Sequence, residues 1–144
     1  MPSAHVEESP SYPGERLGLP ETGRGSLATW RARVAALLID WAACLVVAIA
    51  SFGTSVMRES TWTAQMPLVI FFVEAAILTA FVGGSFGQVV ARVAVVRVDG
   101  RPLVWWQAVL RSALKCLVVP MLIVGMDRRN AADLMLGTVV VNRR

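Results

Sequence analysis

The sequence is short of the residues that build catalytic and metal sites. Of its 144 residues only one is a histidine, His5, and two are cysteines, Cys44 and Cys116. No histidine or cysteine stands at metal-ligand spacing, and no Ser/His/Asp or Cys/His set exists. We therefore expect a protein that is not an enzyme, holds no metal and uses no cofactor. Both cysteines fall in apolar segments, where we expect small buried hydrophobic side chains.

Charge is also scarce, and lysine is almost absent. Only 17% of the residues are charged, whereas 56% are hydrophobic, and the mean hydropathy is +0.59. This composition is too apolar for an ordinary soluble domain and indicates a membrane protein. All basic residues but one are arginines. Arginines beside apolar segments are typical of topology signals and of contacts with anionic lipids, and no basic, aromatic-rich module for nucleic acid is present.

Three apolar stretches are long enough to span a bilayer. They cover about residues 33–53, 66–84 and 103–126. A helix of roughly 20 apolar residues spans the hydrocarbon core. The first stretch contains the carboxylate Asp40 in its interior, and the second contains Glu74. We predict an all-α membrane protein with two to three transmembrane helices, surrounded by the lipid bilayer.

The third stretch has two interpretations, which the sequence leaves open. Its length suits a third span, but Gln107, Arg111 and Lys115 recur four residues apart and so lie on one face of a helix. That pattern is typical of a short amphipathic helix at the membrane interface. The valine-rich segments 88–101 and 137–144 indicate short strands. If the two segments pair, they lie on one side of the membrane, for which we expect the cytoplasmic face.

The regions outside the spans suggest a topology. Residues 1–29 are rich in proline, glycine and serine and are expected to be disordered, which leaves residues 30–144 as the membrane domain. Arginines flank the first span on its N-terminal side and fill the second loop, whereas the first loop contains only Arg58. The positive-inside rule therefore places the N-terminus in the cytoplasm. The side of the C-terminus stays open, because it depends on the number of spans.

Four charged side chains belong to the apolar stretches: Asp40, Glu74, Arg111 and Lys115. At 1.5 Å per residue, they lie at similar depths below one interface, so we expect a single buried polar cluster. Pairing alone is a sufficient reason for such a cluster, because unpaired charges in a membrane are costly. For the two carboxylates, proton or ion handling is an equally good interpretation.

Three stretches resemble the RDD family of small membrane proteins, which is named for one arginine and two aspartates. RVAALLID places Arg33 seven residues before Asp40. GGSFGQVVARVAVVRVDGRPL resembles the family's glycine loop and following strand, with Gln88 where the family usually has a basic residue. MDRRNAADLMLGTVVV resembles the family's ending, with Asp133 as the second aspartate and Ala132 where a histidine is common.

The resemblance covers roughly residues 29–142 and implies a small, single-domain, multi-pass protein of a bacterial inner membrane. It implies a polar site near the cytoplasmic face formed by Arg33, Asp40 and Asp133. The activity it implies is transport of an unidentified ligand or ion, and we expect a homo-oligomer or a membrane partner, since three helices enclose little pathway. The alternative is a non-transporting accessory or scaffold protein that binds a partner complex or anionic lipid through its arginine-rich segments.

Overall fold

The computed structural model describes residues 9–58, 62–116 and 131–144. Over these ranges the chain is mostly helical and includes one two-stranded sheet. The helices are α1 (Trp30–Phe52), α2 (Met66–Val82), α3 (Phe86–Val90), α4 (Trp105–Cys116) and α5 (Ala131–Leu136), and the strands are β1 (Val93–Arg97) and β2 (Thr138–Asn142). The predicted all-α membrane fold with a small β pairing is confirmed.

The helical segments that contain α1 and α2 are long and apolar enough to cross a membrane. With their adjoining 3-10 turns they run over Trp30–Met57 and Trp62–Val82, or 28 and 21 residues. Only 22% and 28% of their most apolar windows are buried inside the protein. A core helix of a soluble protein would bury its apolar face. Here most apolar side chains point outward, as a lipid surround requires.

The ends of these two helices follow from local sequence. The Thr29 side chain accepts the N–H of Ala32 at 3.3 Å and caps the start of α1. Pro67 lies in the first turn of α2, where its missing N–H does no harm. Gly83 ends α2 in the left-handed conformation, with φ of 81°, which glycine adopts without steric cost.

α1 packs against both α2 and α3. Ala36, Cys44 and Ala48 form a buried stripe along α1, and Trp41 of α1 stacks on Phe71 of α2 with ring centroids 5.7 Å apart. Helices in a membrane associate mainly through such close van der Waals packing. Cys44 is buried, as expected, whereas Cys116 is partly buried, and both are free thiols.

The short helix α3 is a feature that the sequence analysis missed, because we read residues 88–101 as a strand with its turn. A capping box, in which the Gln88 side chain accepts the Ser85 N–H at 3.0 Å, starts this helix instead. The helix then packs against α1 through Gly87. A Cβ atom at Gly87 would overlap the Ala36 carbonyl group and the Asp40 carboxyl carbon, so only glycine allows this contact.

The strand prediction holds for the rest of that segment. β1 and β2 pair antiparallel, with Val95 opposite Val140 at the centre of the sheet. Asp99 and Gly100 follow β1 in a turn, as expected. The valines that point inward from both strands form a small apolar core.

The N-terminal segment extends this sheet, and the disorder expected over residues 1–29 is therefore wrong for residues 25–28. Leu27 forms a bridge with Val141, and the Ala28 N–H donates to the Val140 carbonyl at 3.0 Å. Leu27 and Ala28 are buried against the sheet. The burial of two apolar residues and the pairing with the edge of β2 order this segment, although the composition around it favours disorder.

The sheet lies at the end of the molecule where α1 begins and α2 finishes. The Val95 N–H donates to the Gly83 carbonyl at 2.6 Å, and the Arg143 guanidinium donates to the Val82 carbonyl at 2.9 Å. Because β1 and β2 pair at this end, any part of the intervening chain that crosses to the other end must cross back before β2 begins. The structure describes the expected span over 103–126 only as far as Cys116, so a third span stays a prediction.

The Gly87→Ala substitution should prevent α3 from packing on α1. Overlap with a helix backbone cannot be relieved by a side-chain rotation, so we expect a loss of about 3 kcal/mol or more in stability. The measurement is the apparent melting temperature of the purified protein in detergent micelles. Gly84→Ala is the matched control, because the nearest atom to its new Cβ would be a side-chain carbon of Gln88, 3.2 Å away. Equal effects of the two substitutions would contradict this packing.

Candidate functional site

Five charged side chains of the described residues are almost completely buried in one region between α1, α3, α4 and α5. Each is at most 7% exposed: Arg33, Asp40, Arg111, Lys115 and Asp133. The structure thus brings together the three residues of the predicted site and two of the three further intramembrane charges. Glu74, the sixth predicted residue, lies at the edge of this region and is only partly buried.

Asp133 is the acceptor at the centre of one half of the cluster. The Arg111 guanidinium donates to its carboxylate, and the Thr138 hydroxyl donates to Oδ1 at 3.1 Å. The Nη1 atom of Arg33 lies 3.6 Å from Oδ2 of Asp133. A single carboxylate therefore joins guanidinium groups from α1 and α4. In a low-dielectric interior, a buried cation or anion is tolerated only when a group of the opposite charge contacts it.

Arg33 also contacts the sheet. Its Nη2 atom lies 3.5 Å from the Val140 carbonyl of β2. Arg33 therefore lies beside the second aspartate of the predicted site, and its contact with Val140 joins the first turn of α1 to β2.

Asp40 has different partners from Asp133. The Ser85 hydroxyl donates to Oδ2 at 2.6 Å, and the Gly87 N–H donates to Oδ1 at 2.5 Å. Both carboxylate oxygens are therefore occupied by groups at the start of α3. Asp40 is seven residues from Arg33, and the two belong to separate halves of the cluster, as their spacing along the helix implies.

Lys115 connects the cluster to the same loop. Its ammonium group donates to Gln88 Oε1 at 3.2 Å and to the Ser85 hydroxyl at 3.4 Å. The Ser85 hydroxyl is thus shared between Lys115 and Asp40. Gln88 stands where a basic residue is usual in the family that the loop resembles. In this chain the cation beside the loop comes from α4 instead.

The face of α4 that carries these groups points inward. Gln107, Arg111 and Lys115 are buried, as their spacing predicts for a common face. The opposite face exposes Trp105, Trp106, Val109 and Leu110. An amphipathic helix whose polar face is buried and whose apolar face is exposed is suited to lipid rather than to water.

The cluster encloses a cavity of about 20 Å³. It is lined by Arg33, Asp40, Gln88, Arg111 and Lys115, among others. That volume is sufficient for one water molecule and too small for an organic ligand. In this conformation the charged cluster therefore supports the fold and has no room for a larger substrate.

Glu74 faces a second, larger cleft. Its Oε1 accepts the Phe86 N–H at 2.5 Å, whereas its Oε2 is buried and has no hydrogen-bond partner among the described residues. The cleft, of about 250 Å³, lies between α1 and α2 and includes Asp40 and Cys44 in its lining. The remaining lining residues are apolar: Ala43, Val47, Ile70, Leu78 and Phe86.

The described residues contain no group of three or more histidine, cysteine, aspartate or glutamate side chains close enough to hold a metal ion. Two carboxylates, Asp40 and Glu74, line the cleft. The residues that the sequence analysis missed are Ser85 and Gly87, which bind Asp40, and Thr138, which binds Asp133. The capping-box pattern from Ser85 to Gln88 was the available signal for the first of these.

Replacing Asp133 with asparagine should destabilise the protein strongly. Two buried guanidinium groups would lose their carboxylate, and removal of one partner from a buried ion pair costs about 3–5 kcal/mol. We expect a large fall in the apparent melting temperature in detergent. The matched control is Asp99→Asn, which disrupts an exposed pair with Arg97 and should leave the melting temperature unchanged. Similar effects of both substitutions would contradict a structural role for Asp133.

Comparison with known proteins bears on the same region. The family model described as RDD family matches residues 27–131, which is more than two thirds of the chain. The match includes Arg33, Asp40 and the loop of α3, and it ends two residues before Asp133. No curated protein and no solved structure gives a significant match. With its two long apolar helices and its buried Arg33, Asp40 and Asp133, the chain is a membrane protein that belongs to the RDD family.

Proposed function

We propose that the protein is a membrane transport unit that carries a proton or a small cation by way of Glu74 and the cleft between α1 and α2. The observation that supports this proposal is the buried Oε2 of Glu74, which has no hydrogen-bond partner among the residues that the structure describes and lies in the middle of a long apolar helix. A carboxylate in a mostly apolar surround is costly, and such residues in membrane helices mark ion or proton paths.

The two carboxylates of the cleft have different roles in this proposal. Asp40 is held on both oxygens, so a proton or cation there would have to displace an existing hydrogen bond. Glu74 uses one oxygen for the Phe86 N–H and leaves the other for a ligand. Glu74 is therefore the residue that takes up the ion, and Asp40 fixes the position of α3.

α3 gives a physical link between the two carboxylates. The adjacent N–H groups of Phe86 and Gly87 bind Glu74 of α2 and Asp40 of α1. Neutralising Glu74 weakens its bond with Phe86, because a charged acceptor forms a stronger hydrogen bond than a neutral one. Binding of a proton or cation to Glu74 would then change how firmly α3 is attached to α1 and α2.

We further propose a multi-pass arrangement in the bacterial inner membrane, with the N-terminus in the cytoplasm. The end of the molecule that contains the sheet is rich in arginine, whereas Arg58 follows the other end of α1. The arginines at the sheet end are Arg16, Arg24, Arg31, Arg33, Arg92, Arg97, Arg101, Arg143 and Arg144. This asymmetry is the positive-inside pattern. We propose that a homo-oligomer completes the pathway, since the few helices of one chain enclose little pathway.

The alternative function is a non-transporting scaffold that binds a partner complex or anionic lipid. This alternative is supported by the other charged residues of the site, which, unlike Glu74, use their charged groups to bind residues of the same chain. These residues are Arg33, Asp40, Arg111 and Lys115. In that case Glu74 would be a structural anchor for α3, and no ion would cross.

Reconstitution of the full chain into proteoliposomes distinguishes these functions. We expect proton or sodium flux, followed with a trapped pH-sensitive or sodium-sensitive dye at a clamped potential, to fall to the background level in Glu74→Gln. The glutamine keeps an acceptor for the Phe86 N–H, so the fold should persist. Glu21→Gln, at an exposed position outside the spans, is the control and should retain the flux.

Two results would contradict the transport proposal and favour the scaffold. One is a wild-type protein that moves neither protons nor alkali cations. The other is a folded Glu74→Gln variant with unchanged flux. The melting temperature of each variant in detergent establishes whether it is folded.

The topology has its own measurement. In a variant whose native cysteines are replaced by alanine, single cysteines are introduced at Glu21, Met57 and Arg144. A membrane-impermeant maleimide applied to spheroplasts should label position 57 and reach positions 21 and 144 only after lysis, because the Leu27–Val141 bridge holds the N-terminal segment beside β2 and so on the same side as the C-terminal end. Labelling of position 144 in intact spheroplasts would contradict the arrangement.

A further inference from the structure

A third cavity lies outside the charged cluster, at the arginine-rich end of α2. Its volume is about 550 Å³, which is in the range of small-molecule sites. One wall is the last turn of α2, from Thr79 to Gly83, and the facing wall is β1 together with the chain from Gly100 to Leu103. The hydrogen bond from Val95 to Gly83 fixes the two walls against each other.

The cavity has one basic side and one apolar side. Arg97 and Arg101 line it, and Arg101 is exposed. The apolar side includes Ala80, Val96 and Leu103. This combination is complementary to a molecule with an anionic head and an apolar body.

A polar side chain of the cavity lining also lacks a hydrogen-bond partner among the described residues. Thr79 is only 1% exposed, and its hydroxyl forms no hydrogen bond with any described residue. Buried hydroxyl groups are normally hydrogen-bonded, because leaving one unsatisfied costs free energy. Thr79 therefore lies in the lining of a cavity that also has two arginines, with its hydroxyl covered and without a partner among the described residues. A rotation of the side chain is needed to turn that hydroxyl into the cavity.

The position of the cavity relative to the membrane identifies the source of the anion. Trp105 and Trp106 follow the cavity wall directly and are 71% and 47% exposed. Exposed tryptophans at the end of a membrane segment are typical of the headgroup level. Phe81, on the same turn of α2 as the cavity, is 86% exposed and marks the adjoining lipid surface.

We propose that this cavity binds the phosphate group of an anionic phospholipid, with the glycerol and the first acyl carbons against its apolar side. Arg97 and Arg101 pair with the phosphate, and the Thr79 hydroxyl, once turned by a side-chain rotation, hydrogen-bonds to the head or the ester group. The two guanidinium groups and the nearby Asp99 leave one positive charge in excess, which matches one phosphodiester.

Asp99 competes with the lipid for Arg97. Its Oδ2 lies 2.5 Å from the Arg97 guanidinium, and its Oδ1 accepts the Arg101 N–H at 3.0 Å. The hydrogen bond from Arg101 and the charge of Arg97 hold the pKa of Asp99 below its usual value. The carboxylate is therefore charged at neutral pH, and a bound phosphate must share Arg97 with it.

The test is a titration of the full chain in neutral detergent with dioctanoyl phosphatidylglycerol. Binding is counted by native mass spectrometry and followed as a rise in melting temperature. The zwitterionic probe is dioctanoyl phosphatidylcholine, and the lipid-free probe is inorganic phosphate. We expect phosphatidylglycerol to bind more tightly than either.

Variants locate the site. Arg97→Gln and Arg101→Gln should each weaken phosphatidylglycerol binding about fivefold, the usual effect of one arginine at a membrane surface. Thr79→Val should weaken binding without lowering the lipid-free melting temperature, because the hydroxyl has no hydrogen-bond partner in the described part of the chain. Asp99→Asn should strengthen binding, since the competing charge is removed while the side-chain oxygen that accepts the Arg101 N–H is kept.

Arg31→Gln is the matched control, because Arg31 is an exposed arginine at the same end of the molecule and outside the cavity. An equal loss of phosphatidylglycerol affinity in Arg31→Gln would show that arginines attract anionic lipid wherever they lie at this end, and it would contradict a specific site in the cavity. Equal binding of inorganic phosphate would overturn the lipid as its ligand. Unchanged binding in both Arg101→Gln and Thr79→Val would also overturn the proposal.

Discussion

The fold depends on satisfying buried charge without help from water. Arg111 is the largest fully buried side chain of the described residues, and its carboxylate partner Asp133 is not exposed at all. In hydrocarbon a lone guanidinium or carboxylate is costly, so each must meet its counterpart inside the protein. The polar groups of α1, α3 and α4 consequently face one another, and their apolar groups face lipid. A soluble helical domain has the reverse arrangement, with its apolar side chains inside and its polar side chains outside.

α3 and the sheet supply most of the partners for these charges. The backbone N–H groups of Phe86 and Gly87 bind carboxylates from two different helices, α2 and α1, and β2 provides Thr138 and the Val140 carbonyl. Five residues of helix and a two-stranded sheet thus hold the much longer helices in place. The absent side chain of Gly87 permits this, because it allows α3 to contact the backbone of α1 directly.

Much of this arrangement can be predicted from the sequence. The rest cannot, because it depends on contacts between residues that are distant in the chain or on segments too short to show a hydrophobic period. The two long apolar helices and the strand character of β1 and β2 follow from local pattern, and the common face of Arg111 and Lys115 follows from their four-residue spacing. α3 was missed because a five-residue helix has no hydrophobic period and only its capping box marks it. Residues 25–28 were missed because their order comes from an edge of β2 more than a hundred residues away. The choice of Asp133 as the partner of Arg111 likewise depends on tertiary contact, which periodicity does not encode.

The separation of Arg33 and Asp133 along the chain has a consequence for biogenesis. The ribosome completes α1 long before it adds the carboxylate that neutralises Arg33, and α4 with Arg111 also precedes Asp133. During that interval the spans would enter the membrane with cations that still lack their final partner. Transient contacts, with lipid phosphates or with the insertion machinery, would have to shield them. Addition of α5 and β2 then supplies the carboxylate and the strand that join α1 to α4.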